Sequence, residues 1–213
     1  MILLGRSISK IQPVIDEIAT ISPTTKSYFV PLDLASFSSV HAAAATIRTL
    51  TSTIDILLNN AGIMALPRYQ TSPAGHELQF ATNHLGHFLL TSLLSPLLVS
   101  GSRIVNVSSA GHALGEVRFE DWNFNGGKDY EAWQAYGQGK AANVLFSKAL
   151  ATKLQPKGVL AFSLHPGNIA GTGLADNLEN TDWQAVLSLF TELGLSSLQL
   201  TILTQLSNAS KIR

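Results

Sequence analysis

The sequence predicts an α/β protein built on a doubly wound parallel sheet with helices on both faces. Two observations carry that expectation. Short apolar runs alternate with longer segments of helical period, and helices of about 12 or more residues between strands make parallel crossovers. Polar or backbone-special residues stand just after the apolar runs, at the carboxyl ends of strands, where such sheets hold ligands.

The elements follow in order. Met1–Leu4 is a short strand, and Ser7–Ile21 carries Ile8, Ile11, Ile15 and Ile18 near helical spacing. Tyr28–Leu32 is a strand, and an alanine-rich helix runs from about Ser36 to Leu50. Ile54–Leu58 is a strand ending at Asn59-Asn60-Ala61-Gly62. A long helix is expected from about Pro73 to Val99, then strand Arg103–Val107 and an irregular stretch through Lys128. Helix Trp133–Leu154 leads to strand Val159–Leu164 and the breaker Pro166-Gly167. No repeat or linker divides the chain, so residues 1–213 read as a single domain.

Composition narrows the function classes. The 213 residues are 46% hydrophobic and 13% charged, which excludes a disordered chain. Fourteen Lys+Arg balance fourteen Asp+Glu, so no net charge points to nucleic acid or anionic lipid. With no cysteine there is no disulfide framework or thiol nucleophile, and a reducing, cytoplasmic setting is the expectation. The most apolar stretch, Phe88 to Val99, is interrupted by Pro96 and is shorter than the roughly 20 residues of a membrane span. Met1-Ile-Leu-Leu-Gly-Arg has its charge after the apolar run and is a poor signal peptide. A compact, soluble protein is expected.

Three segments carry chemistry. Tyr136-Gly-Gln-Gly-Lys140 puts a phenol and an ammonium at i and i+4 on one helical face. An ammonium within about 4–6 Å favours a phenolate by roughly 1–3 units, which makes a phenol of pKa about 10 a usable proton carrier. Alone, such a pair is far more often two exposed helix residues. Ser108-Ser109 ends a strand, where a hydroxyl can hold a substrate oxygen or simply cap a turn. Asn59-Asn60-Ala61-Gly62 ends another, and its small residues let a flat ligand approach the backbone, or form a plain turn.

Taken together these pieces resemble the short-chain dehydrogenase/reductase family over about residues 1–175, because they occur in order. The series is Asp33-Leu34, Asn59-Asn60-Ala61-Gly62, Asn83 in Asn-His-Leu-Gly-His-Phe, Ser109, Tyr136/Lys140 and His165-Pro166-Gly167. Phe119-Glu-Asp-Trp-Asn and Ala135-Tyr-Gly-Gln look most like retinol-dehydrogenase-like and fungal members. The resemblance implies a Rossmann-like sheet and hydride exchange between a nicotinamide and a small carbonyl or alcohol. It implies Tyr136 as general acid/base, Lys140 lowering its pKa and bonding the ribose, Ser109 orienting the substrate, and Asn83 holding a water in a proton relay. It further implies Asp33-Leu34 near the adenine, Asn60, Ala61 and Gly62 along the adenosine, and Pro166-Gly167 beside the nicotinamide. Thr172, one residue beyond the family's usual spacing, is the implied carboxamide partner. Members often pair through the two long helices, so a homo-oligomer is implied as well.

Arg6 follows the first strand, where an acidic residue would select the 2′-hydroxyl of NAD. An arginine beside Ser7 can instead pair with a 2′-phosphate, so NADP is expected rather than NAD. The alternative is an ordinary helix-start arginine.

The sequence also departs from the family. It begins at what should be the second strand, without the first strand and the glycine-rich turn of a roughly 30-residue βαβ unit. That strand is central in the 3-2-1-4-5-6 order, so the second and third strands are expected to lose their bridge to the rest. Two or three charge-assisted hydrogen bonds to the pyrophosphate, about 1.5–3 kcal/mol each, are lost too. Micromolar binding amounts to only about 8 kcal/mol, so a non-catalytic remnant or binding module, or a longer reading frame upstream, stands as the alternative. Gly167-Asn-Ile-Ala-Gly171-Thr-Gly173 matches a phosphate-loop pattern, but His165-Pro166-Gly167 already fits the sixth strand and Asp176, Glu179 and Asp182 would oppose phosphate. The tail from about residue 188 departs from the family pattern. His84 and His87 stand at i, i+3 with no third ligand nearby, so packing or interface histidines are expected and no metal.

Overall fold

The computed structural model describes residues 1–167 and Leu174. Helices alternate with parallel strands as the periodicity predicts. In order these are β1 (Ile2–Gly5), α1 (Ile8–Ile21), β2 (Tyr28–Pro31), α2 (Phe37–Leu50) and β3 (Ile54–Asn59). There follow α3 (Leu78–Phe80), a π turn (Ala81–Leu85), α4 (Gly86–Leu94), β4 (Leu98–Val107), α5 (Ala132–Leu154) and β5 (Leu160–Leu164).

The strands fall into two parallel sheets, β1-β2 and β3-β4-β5. Ile2 pairs with Tyr28 and Gly5 with Pro31 in the first. Asn59 pairs with Asn106, and Val107 with Leu164, in the second. Among the described residues no strand joins β1 to β3, which is the break expected at the centre of the sheet.

Side-chain packing spans that break where backbone pairing does not. Helix α2 buries Val40, Ala43, Ala44 and Ile47, one face at i, i+3, i+4 and i+7. They share a core with Val30, Leu32 and Leu34 from the β2 side and with Leu57, Leu90, Leu94 and Ile104 from the β3 side. At Gly86, the first residue of α4, a Cβ would lie 2.3 Å from the Leu34 carbonyl oxygen, so only glycine permits this approach. In α1 no residue is buried; Ile8, Val14 and Ile21 are exposed.

One expected element is redrawn. In place of a helix from Pro73 to Val99, the chain makes a turn in which Gly75 has φ +81° and Thr71 bridges Glu77. Glu77 then caps α3, its two carboxylate oxygens accepting from Gln79 N at 2.9 Å and Phe80 N at 2.6 Å. The helix stops at Leu94 because Pro96 lacks a donor, and the chain is already extended at Leu98 rather than Arg103.

A buried polar ladder fixes α5 against β3 and β4. Asn59 Nδ2 donates to Asn106 Oδ1 at 2.8 Å and to Thr91 Oγ1 at 2.9 Å. Asn106 Nδ2 donates to Ser147 Oγ at 2.8 Å. Each rung satisfies polar groups that would otherwise be stranded in the core.

Candidate active site

Helix α5 begins at Glu131, whose carboxylate accepts from Trp133 N at 3.1 Å and Gln134 N at 2.6 Å. That cap sets the phase of the helix, and Tyr136 and Lys140, each 3% exposed, both face inward. The Lys140 ammonium lies 5.6 Å from the Tyr136 ring centroid and donates to Val107 O at 3.2 Å. It has no carboxylate partner among the described residues.

Ser109 leaves β4 in an extended conformation, accepts from Gly111 N at 3.0 Å, and hydrogen-bonds the Tyr136 phenol. It is thus both a turn cap and a partner of the phenol. Ser108 is buried and donates to Lys140 O at 2.8 Å, which leaves Ser109 as the serine beside the phenol. Gly62 closes another side. A Cβ there would lie 3.0 Å from Asn83 Oδ1 and 3.5 Å from Lys140 Nζ, so this backbone crosses directly over the ammonium.

Asn83 joins the cluster from the π turn. Its side chain accepts from Ile63 N at 2.8 Å and donates to Ile63 O at 2.9 Å. Its main-chain oxygen accepts from Asn143 Nδ2 at 3.0 Å and pairs with His87 Nδ1 at 3.1 Å. Both lone pairs of that main-chain oxygen are therefore engaged by side chains.

Burial, rather than the neighbouring charge, dominates the electrostatics. Desolvation pushes the Tyr136 phenol up to about 12, against the lowering effect of its Ser109 hydrogen bond. Desolvation pushes the Lys140 ammonium down to about 8. Burial thus sets the direction of the phenol's shift in the cofactor-free chain, with the Lys140 ammonium 5.6 Å from its ring centroid. At neutral pH the phenol carries its proton and most of the lysine is charged, which suits donation of a proton.

The remaining described sequence-derived residues follow the ends of the strands. Arg6 is exposed just past β1 and has no ion pair among the described residues. Asp33 is half-buried, its carboxylate accepting from Ala35 N at 3.0 Å. Leu34 belongs to the core, which leaves only its backbone for a ligand. Asn60 and Ala61 are exposed beyond β3. Pro166 is exposed, and Gly167 turns the chain after β5 with φ +85°. No hydrogen bond among the described residues joins Arg6 or Asp33 to the Tyr136 cluster. Thr172 and the Gly-rich run through Gly173 lie outside the described residues.

His84 and His87 are packed as expected, His84 Nδ1 against Asn143 Oδ1 at 3.0 Å and His87 4% exposed. Asn143 itself was missed from sequence. Its signal was available: it stands three residues after Lys140 and seven after Tyr136, a polar residue on the same buried face.

A buried hydroxyl–phenol–ammonium set thus stands in a parallel α/β domain, a fold that holds ligands at the carboxyl ends of its strands. The chain belongs to the short chain dehydrogenase family, whose profile matches residues 1–183. It is 48% identical over 138 residues to retinol dehydrogenase 13 of Homo sapiens, covering 64% of this chain and 41% of that protein. It is 40% identical over 169 residues to retinol dehydrogenase 11 of Mus musculus, covering 78% and 52%. The chain thus spans about half the length of these curated relatives. Among solved structures it resembles an uncharacterized protein from Mycobacterium Paratuberculosis, with TM-score 0.67 and 36% identity over 95% of this chain and 69% of that one. It shares its fold with NADPH-bound carbonyl reductase from chicken fatty liver, with TM-score 0.59 and 23% identity over 85% and 73%.

Proposed function

We propose that the protein is an oxidoreductase interconverting a small carbonyl and its alcohol with NADP(H). The observation that carries this reading is the Lys140 ammonium, 3% exposed and without a carboxylate partner among the described residues. A buried cation is costly unless something compensates it, and among the described residues only Val107 O takes one of its three N–H groups. The remaining donors suit the hydroxyl pair of a nicotinamide ribose, and the Gly62 backbone leaves a flat surface beside them. The bound nicotinamide supplies or accepts the hydride.

This chain's own residues do the rest. Ser109 orients the substrate oxygen towards the Tyr136 hydroxyl. Tyr136, protonated at neutral pH, donates to that oxygen in reduction and takes the proton back in oxidation. Lys140 holds the ribose and stabilises the phenolate as it forms. Asn83 fixes Ile63 and so the Gly62 backbone over the ammonium.

Exposed Arg6, with Ser7 beside it, supports NADP over NAD, with Asp33 and Leu34 towards the adenine and Asn60, Ala61 and Gly62 along the adenosine. Pro166 and Gly167 border the nicotinamide, and the family resemblance adds Thr172, outside the described residues, as its carboxamide partner. Gly111 to Lys128 borders the substrate. Phe88 and Leu145, 47% and 48% exposed on α4 and α5, favour a homo-oligomer through those helices. We place the protein in the cytoplasm, with which the lack of cysteine agrees; no described helix is long and apolar enough to cross a membrane.

The test is turnover of carbonyl substrates with NADPH. Tyr136→Phe is expected to lower the rate by about 10²–10⁴-fold with the melting midpoint little changed. An unaltered rate in that variant removes Tyr136 from its role. The break between β1-β2 and β3-β4-β5 favours a second reading, a binding module of the same fold without catalysis. Calorimetry separates the two: a folded chain that takes up no NADPH supports the module.

A further inference from the structure

We propose that Asn143 is a positioning residue of this site: its amide holds the Asn83 and Val107 carbonyls and so decides which hydrogen bonds the Lys140 ammonium makes. The kinetic half of this proposal rests on the oxidoreductase reading; the geometric half does not.

Asn143 is 2% exposed and every polar group it carries is used. Its Nδ2 donates to Asn83 O at 3.0 Å and to Val107 O at 3.3 Å. Both are carbonyls, which only accept, so the amide orientation is fixed by chemistry. Oδ1 must then face a donor, and it faces His84 Nδ1 at 3.0 Å, which assigns His84 the Nδ1–H tautomer.

The two carbonyls are shared. Val107 O also takes the Lys140 ammonium, at 3.2 Å, so the amide and the cation share the two lone pairs of one acceptor. Asn83 O also pairs with His87 Nδ1, at 3.1 Å, which leaves no lone pair free for a water. A water can sit on Asn83 O only when Asn143 or His87 withdraws. The helix is built for this convergence: the π turn Ala81–Leu85 presents Asn83 O to side chains, and α5 places Lys140 and Asn143 three residues apart. The titratable groups around Lys140 are Tyr136 on its own helix and His87 and His84 opposite. Among the described residues no carboxylate pairs with Lys140, so the neutral amide is the group that shares Val107 O with the ammonium.

Asn143→Ala and, should that variant fail to fold, Asn143→Ser test this in two independent ways. In the cofactor-free chain, nitrogen-15 imidazole spectra are expected to show His84 as the Nδ1–H tautomer, lost in Asn143→Ala. The carbon-13/nitrogen-15 signal of the Lys140 ammonium is expected to titrate higher by about half a unit or more, because the freed carbonyl favours the charged form. In turnover with NADPH, kcat is expected to fall about tenfold with KM for NADPH within about twofold, and the alkaline limb of the kcat profile to move upward. An unmoved Lys140 titration together with an unmoved kcat profile, whatever happens to the melting midpoint, overturns the proposal and leaves Asn143 as packing. If the unsubstituted chain turns over no carbonyl, the oxidoreductase reading fails instead, and the spectra alone decide the role of Asn143.

Discussion

The Lys140 ammonium lies 5.6 Å from the centre of the Tyr136 ring, and the two groups answer to burial in opposite directions. The lysine is pushed down to about 8 and the tyrosine up to about 12. Between the folded lysine value and its ordinary value near 10.5 the unfolded chain binds the extra proton, so stability rises with pH across that window. Above the tyrosine's ordinary value near 10 the folded chain keeps a proton that the unfolded chain loses, and stability falls. Chemical denaturation from pH 7 to 11 is expected to show a maximum near 10. In Lys140→Met the rising limb, about 3 kcal/mol at most, is expected to vanish. A rising limb of the same size in that variant sinks the assignment.

At the acid end the corresponding group is His87. Burial pushes its imidazole down to about 4, with the Asn83 carbonyl bond opposing that shift and the Lys140 and His84 charges adding to it. Below the ordinary value near 6.5 the unfolded chain takes a proton that the folded chain refuses, so stability is lost as pH falls towards 4. His87→Asn keeps a donor for Asn83 O without the titration. Its midpoint is expected to depend less on pH between 6.5 and 4 than that of the parent chain, and an equally steep decline would assign acid sensitivity elsewhere.

The contact of α4 with the loop between β2 and α2 predicts a steric result. An alanine methyl at Gly86 would lie 2.3 Å from Leu34 O, a backbone atom that cannot rotate away. Gly86→Ala is expected to destabilise by about 2–4 kcal/mol, measured by urea unfolding. Gly75→Ala serves as the contrast, since a methyl there meets nothing within 4 Å and only its φ of +81° is strained; it is expected to cost about 1 kcal/mol. Equal effects at the two sites would mean that α4 and the Leu34 loop separate easily.

Strand and helix positions were legible because period and punctuation agree: Asn59–Gly62 ends β3, Ser108 follows β4, and the alanines of α2 mark its buried face. The central break was legible too, since it follows from strand order alone. The long helix was not. Its apolar content hid a turn at Gly75, a π turn at Ala81–Leu85 and a strand already extended at Leu98, each decided by tertiary partners such as Glu77 and Asn143. For the same reason sequence could place Tyr136 and Lys140 on one face yet could not show the burial that pushes the tyrosine up. Spacing reports proximity, whereas the shift depends on how much water the fold excludes.

Backbone pairing stops between β1 and β3, so stability should differ across the break. All of β1 is only half-buried, no residue of α1 is buried, and Pro13 removes a donor inside that helix. By contrast Ile104 and Ala161 in β4 and β5 are fully buried, and the Asn59–Asn106–Ser147 ladder ties that sheet to α5. Local opening follows such differences in buried contact. Amide hydrogen exchange is expected to be lost first from α1 and β1, at least about 100-fold faster than from β4, β5 and α5, with α2 between them because it packs on α4. NADPH is expected to protect Leu3–Ser7 more than the β4 interior if Arg6 engages the 2′-phosphate. Uniform protection across both sheets, with exchange everywhere at the global unfolding rate, would show that the α2–α4 packing alone welds the two sheets into one cooperative unit.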